Sequence, residues 1–139
     1  MTVVTKTIKI KSKSENDMVD ITEQTAEAVR ESKIKSGNVT IFVSGSTAAL
    51  TTIEYEPGLK KDFPKMLQRI APDDIEYGHE QMWHDGNGRS HVKASLVGPS
   101  LTVPFTDGRL LLGTWQQIVL IELDTRSRSR SLILQIIGE

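Results

Sequence analysis

Short apolar runs bounded by turn residues constrain this chain more than any other feature. Leu101 to Phe105 and Arg109 to Leu123 are separated by Asp107-Gly108, a dipeptide that supplies the positive-φ positions of a tight hairpin. Val39 to Val43 is almost continuously β-branched and aromatic, which predicts a buried central strand. Ala48 to Ile53, after Gly45 and Ser46, predicts a second strand adjacent to it. Leu132 to Ile137 is the last strand expected. Near the other end Val4, Ile8 and Ile10 share one side of a period-2 stretch whose other side carries Lys9 and Lys11, the pattern of a half-buried strand.

Two segments carry helical spacing. Asp20-Ile21-Thr22-Glu23 has the spacing of a capping box, and Ile21, Thr25, Ala28, Val29 and Ser32 follow as a weakly apolar stripe that Ser36-Gly37-Asn38 stops. Leu59, Phe63, Leu67 and Ile70 recur every three to four residues; Pro64 either kinks this helix or begins its second part, and Pro72 ends it. The polar stretch Tyr77 to Ser90 reads as irregular backbone. After it, Val92, Ala94 and Leu96 alternate with His91, Lys93 and Ser95, which predicts a further strand ended by Gly98-Pro99. The fold class expected is α+β, with two or three helices packed on a largely antiparallel sheet.

With 139 residues and no linker or repeat, residues 1–139 are expected to form one domain. A net charge of −1 provides no global attraction for nucleic acid or an anionic membrane. No apolar run approaches the roughly 20 residues that cross a bilayer, and the first residues lack the apolar block of a signal peptide, so a cytoplasmic protein is expected. The absence of cysteine excludes disulfides, thiolate nucleophiles and Cys-based zinc sites, and leaves any metal to His and carboxylate ligands.

All three histidines, His79, His84 and His91, lie within thirteen positions, with Glu80 and Asp85 among them. Neutral imidazoles and carboxylates together suit zinc and similar divalent ions, and His79, His84, His91 and Asp85 form the candidate ligand set. On a strand, His91, Lys93 and Ser95 project to one side, where Lys93 and Ser95 can bind phosphate oxygens and His91 can exchange a proton or bind metal. The alternative is a solvated sheet face. Asp85-Gly86-Asn87-Gly88 suits a tight turn; its glycines also permit backbone amides to approach an anion. Trp115 and Gln116 precede the apolar run Ile118 to Ile121, a position typical of packing and also open to a ligand. Arg126, Arg128 and Arg130 alternate with serines beside Asp124, as on a solvated edge.

The stretch His91 to Pro104, HVKASLVGPSLTVP, followed by Asp107 to Gln117, DGRLLLGTWQQ, resembles the signature of the YjbQ-like family. Tyr77 to His79, Asp85 to Gly88, Thr47 to Ala49 and Gln135 to Glu139 extend the likeness over essentially the whole chain. The resemblance implies a small α+β fold assembled as a homotrimer. It also implies a thiamine-phosphate synthase activity, in which hydroxymethylpyrimidine diphosphate joins thiazole phosphate with release of pyrophosphate, as a capacity secondary to another role. His79, Asp85, Asn87, His91, Lys93 and Ser95 match the family's site positions, with Trp115 and Gln116 at the border. Where many relatives have His-Thr-Thr-Ala, this chain has Gly45-Ser46-Thr47-Ala48. On this reading Mg2+ arrives with the diphosphate near Asp85, Lys93 compensates the leaving group, His91 or His79 orients or protonates it, and Trp115 stacks on a heterocycle. The alternatives are a hydrolase with Zn2+ on the three histidines, and a non-catalytic trimeric binding protein for a small phosphorylated metabolite.

Overall fold

The computed structural model describes residues 1–139. In chain order the elements are β1 (Thr2–Lys11), β2 (Met18–Asp20), α1 (Thr22–Ser32), β3 (Gly37–Val43), β4 (Ala48–Ile53), α2 (Pro57–Ile70), α3 (Gly78–Trp83), α4 (Gly88–Val97), β5 (Ser100–Thr106), β6 (Arg109–Leu110), β7 (Gln117–Glu122) and β8 (Ser129–Gly138). Every strand pairing is antiparallel. The strands form two sheets, one of five in the order β1-β8-β3-β5-β6 and one of three in the order β2-β7-β4. The class is therefore α+β, with four helices rather than two or three.

Period-2 alternation explains how the layers meet. The even-numbered Leu132, Leu134 and Ile136 of β8, with Val39, Ile41 and Val43 of β3, pack against Ile118 and Leu120 of β7 in one apolar cluster. The odd-numbered Val119 and Ile121 leave the opposite face of β7 and meet Ala49, Leu67 of α2 and Ala94 of α4 in a second cluster. The small sheet thus lies between the large sheet on one face and α2 and α4 on the other, which is why Ile118 to Ile121 is apolar without interruption, while α1 packs in the first cluster. β3 holds the middle of the five-stranded sheet as its composition predicts, but β4 belongs to the other sheet and does not pair with it. A chain turn at Ser44 to Thr47 carries the backbone from one layer to the other.

Several local expectations change. The Asp107-Gly108 hairpin forms, with both residues at positive φ. The β segment from Arg109 breaks after two residues and resumes at Gln117. Pro64 sits inside an α2 that is continuous from Pro57 to Ile70. The capping box does not close: Asp20 Oδ1 accepts from the Thr22 amide at 2.9 Å, and Ile21 occupies the cap position with no side-chain bond.

The largest correction concerns the middle. Tyr77 to Ser90 is not irregular throughout, and the expected strand around His91 to Leu96 is helix α4. Ser90, Lys93 and Ala94 are buried at helical spacing, while Val92, Ser95 and Leu96 are exposed. Asn87 stands at the N-cap and Gly98, at φ 106°, ends the helix, residue types that favour those two boundaries. Lys93 hides the period in the sequence. It is the one charged residue on the inward face, and its charge makes the alternation with Val92, Ala94 and Leu96 fit a strand equally well.

Candidate functional site

The site is built where α3 and α4 meet. Between them His84 at φ 55° and Gly86 at φ 70° turn the chain through the left-handed region. Gly88 then allows the two helices to touch: a Cβ there would stand 2.5 Å from Tyr77 Cβ and under 3 Å from both Glu80 carboxylate oxygens. The Gly88 amide donates to Glu80 Oε1 at 2.6 Å. This bond occupies an amide that the sequence offered to an anion, while Gly86 serves as a turn residue.

This approach brings His79 Nε2 to 3.1 Å from Asp85 Oδ1. The His79 and His91 ring centroids are 4.3 Å apart with planes tilted by 45°. One ligand atom from each of His79, Glu80 and Asp85 lies within 4.8 Å of the others, a spacing that a single divalent ion can bridge. Asn87, only 6% exposed, has its side-chain amide against the same atoms. His84 caps α3 and is exposed, outside this group. Glu80, an oxygen ligand by residue type, stands one turn before the His84 cap and faces Gly88, which joins it to the cluster in place of His84.

The shared polar face of His91, Lys93 and Ser95 does not exist. Residues two apart lie about 200° round a helix, so Lys93 enters the interior while His91 faces His79 and Ser95 faces outward. Lys93 is 3% exposed as a residue, with its Nζ still in contact with water. Burial lowers the pKa of its ammonium, a fall opposed by Glu15, deepened by Arg89 and opposed again by Asp73. Arg89 is bound to Glu15 through Nε at 3.0 Å and Nη2 at 3.1 Å. The Ser90 hydroxyl one turn earlier is the buried side-chain polar atom that lacks a partner.

Trp115 is largely exposed and lines a cleft with Asp20, Glu54 and Tyr55. Gln116 spans a second cleft, donating to Thr52 Oγ1 at 3.2 Å and accepting from the Gly113 amide at 3.0 Å. Neither cleft includes a residue of the histidine group.

Behind Asn87 lies a buried polar network. Asp124, 1% exposed, accepts from the Thr125 amide at 2.7 Å, Thr47 Oγ1 at 3.0 Å, Arg128 Nε at 2.9 Å and Asn87 Nδ2 at 3.4 Å. Burial by itself would raise its pKa; the bonds from Thr125, Thr47, Asn87 and Arg128 outweigh that and bring it down to about 2. Thr47 in turn accepts from Arg130 Nη2 at 2.8 Å, and Arg130 forks onto Glu122, whose Oε1 lies 2.9 Å from Nε. Ser12 Oγ completes the set, donating to Glu122 Oε1 at 2.7 Å.

The expected solvated edge of arginines is therefore corrected for Arg130, which is 6% exposed. Along β8 the inward row Ile136, Leu134 and Leu132 continues to Arg130 at the same two-residue step, a signal available in the sequence. Gly45 lies against the same guanidinium, where a Cβ would stand 2.8 Å from Arg130 Nη1, so Arg130 takes the space that a side chain at position 45 would need.

Two antiparallel sheets carrying a helical pair, with an imidazole, two carboxylates and an amide converging at the pair's turn, define an α+β protein with a candidate divalent-cation site. The chain belongs to the YjbQ-like family: the family model described as "UPF0047 protein YjbQ-like" matches residues 6–139. Among its relatives, a UPF0047 protein of Methanocaldococcus jannaschii is 38% identical over 132 residues, covering 94% of this chain and 92% of the relative. The UPF0047 protein YugU of Bacillus subtilis is 36% identical over 135 residues, covering 96% and 98% respectively. The crystal structure of a protein of unknown function from Sulfolobus solfataricus superposes with a TM-score of 0.89 at 33% identity, covering 99% of this chain and 100% of the other.

Proposed function

We propose that the chain is a divalent-cation-dependent transferase of the thiamine-phosphate synthase type, acting on a diphosphate substrate. The observation that carries this reading is the convergence of His79, Glu80 and Asp85 within 4.8 Å beside the His91 ring. Two carboxylates and one imidazole form an oxygen-rich set, which suits Mg2+ or Mn2+ better than a histidine-only site would. A cation held there would supply the positive charge that a departing pyrophosphate requires. The placement of Lys93 on the inward side of α4, away from His91, supports giving the ion that role.

In the reaction the bond between the pyrimidine methylene carbon and the diphosphate oxygen breaks, the thiazole nitrogen forms a bond to that carbon, and pyrophosphate leaves. His79, Glu80 and Asp85 would hold the cation, and His91, packed on His79, would serve as a hydrogen-bond donor to the leaving oxygen. The exposed apolar side chains Val92 and Leu96 on the outer side of α4 support assembly as a homotrimer, with these residues turned toward a neighbouring subunit. A cytoplasmic setting belongs to the same reading. No helix of the chain is long and apolar enough to cross a membrane.

The test pairs metal analysis of the purified protein with a pyrophosphate-release assay on the two thiamine precursors. Turnover that needs Mg2+ or Mn2+ and falls in His79→Ala supports the transferase. A second reading, a zinc hydrolase, draws on the same His79 and His91 contact, with His91 as base toward water. Tightly retained, stoichiometric zinc with no pyrophosphate released would replace the first reading by the second.

A further inference from the structure

Away from the histidine group, a cleft of about 590 Å3 lies between α1 and the β5-β6 hairpin. Ala26, Arg30 and Lys33 follow one another at steps of four and three residues, so they share the face of α1 that borders it. The hairpin residues Asp107 to Leu110 form the facing wall. The Gly108 amide donates to the Lys35 carbonyl oxygen at 2.9 Å, which fixes that wall against the segment joining α1 to β3. Ala26, Ile34 and Leu110 supply the apolar part of the lining. No residue of the cleft belongs to the histidine group or to the buried network around Asp124.

Charge is what sets this cleft apart. Arg30, Lys33, Lys35 and Arg109 line it against one carboxylate, Asp107. Arg30 is already neutralised, with Nη2 2.8 Å from Glu23 Oε1 and Nε 3.1 Å from Glu27 Oε2. Lys33, Lys35 and Arg109 are exposed and are bound to no carboxylate of the chain, whereas Lys6, Arg89, Arg128 and Arg130 each are. Three free cations less one free carboxylate leave a surplus of two positive charges here, in a chain whose net charge is −1. Like charges around one cleft repel each other, and an anion seated among them offsets that repulsion. A planar guanidinium fork with two ammonium groups suits the several oxygens of a phosphate better than a lone carboxylate. The volume is that of a small-molecule pocket, larger than phosphate alone fills, and the apolar lining suits an organic body. Glu23 and Glu27, held at the rim by Arg30, oppose an extended polyanion such as a nucleic acid strand. We propose that the cleft between α1 and the β5-β6 hairpin binds a small phosphate monoester with an organic body of nucleotide size, through Lys33, Lys35 and Arg109. This binding does not depend on a cation at His79.

The test is titration of the whole protein with adenosine monophosphate, without added metal, followed by amide chemical shifts and by calorimetry. The amides of Lys33 to Lys35 and of Gly108 to Leu110 should shift together. Affinity should fall as salt rises from about 20 to about 300 mM, because the attracting charges are exposed. Arg109→Glu and Lys35→Glu should each weaken binding about 10-fold or more. Both positions are exposed, so circular dichroism should show an unaltered fold. His79→Ala should bind the nucleotide as the wild type does. Inorganic phosphate should bind more weakly than the nucleotide, and equal affinity for the two would overturn the part given to the organic body. Shifts confined to residues around His79 and His91, wild-type affinity in either charge-reversal variant, or no binding at about 10 mM nucleotide would overturn the proposal.

Discussion

Replacing Arg130 by methionine should be among the most destabilising single changes in this protein. Its guanidinium reaches Glu122 through Nε and Nη2 and also donates to Thr47, with side-chain exposures of 7% for Arg130 and 0% for Glu122. Arg130→Met leaves Glu122 ionised in the interior with the Ser12 hydroxyl and the Asp124 amide as its remaining donors. Removal of one member of a buried pair costs about 3 to 5 kcal/mol, because the other charge stays desolvated and unpaired. For a chain of this length that corresponds to a fall in melting temperature of roughly 10 °C or more. The double variant Glu122→Leu/Arg130→Met removes both charges together and should recover most of the loss, leaving about 1 to 2 kcal/mol for the unpaired Ser12, Thr47 and Asp124 groups. Urea unfolding of wild type, both single variants and the double variant measures the coupling directly. If Arg130→Met costs less than about 1 kcal/mol, or if the double variant loses the sum of the single ones, the pair is not a coupled interior unit and the reasoning is wrong.

Three further outcomes are expected. Asp124, with its pKa brought down to about 2, should contribute about 2 kcal/mol of stability that is complete above about pH 4 and is lost as pH falls through about 2; acid unfolding of Asp124→Asn should be shallower over that window, and an unchanged profile would count against the bonds described. Lys93→Met should stabilise the fold slightly at neutral pH, by up to about 1 kcal/mol, because the ammonium is partly desolvated while its tip keeps contact with water. Because the folded pKa of Lys93 is lowered, the unfolded chain holds the extra proton, so wild-type stability rises with pH between the lowered value and 10.5 and the variant's advantage should shrink there, as denaturant curves at several pH values will test. Gly88→Ala should separate α3 from α4, since its Cβ would meet Tyr77 and Glu80; faster amide exchange across residues 78–97 is the expected readout, and wild-type protection would refute the close contact.

Local pattern decided a large part of this protein before any tertiary contact was considered. Val39 to Val43 lies in the middle of its sheet because β-branched residues suit a central strand. Asp107-Gly108 makes its hairpin because those two residues tolerate positive φ, and Leu59 to Ile70 is a helix because its apolar residues recur at one face. The clustering of His79, Asp85, Asn87 and His91 also marked the region of the candidate site, since these polar residues fall in one short segment.

Tertiary structure decided what that segment does. The stretch from Gly88 to Val97 satisfies both a two-residue and a helical period, and only burial of Ser90, Lys93 and Ala94 on the side of α4 that meets β4 and α2 selects the helix. That choice separates Lys93 from His91 and removes the polar row a strand would have made. Thr47, Asn87 and the segment from Glu122 to Arg130 are three separate parts of the chain, so no local pattern announces that they touch. They are joined because each buried charge must find its partner once water is excluded, a requirement that exists only after the two sheets and the helical layer have closed.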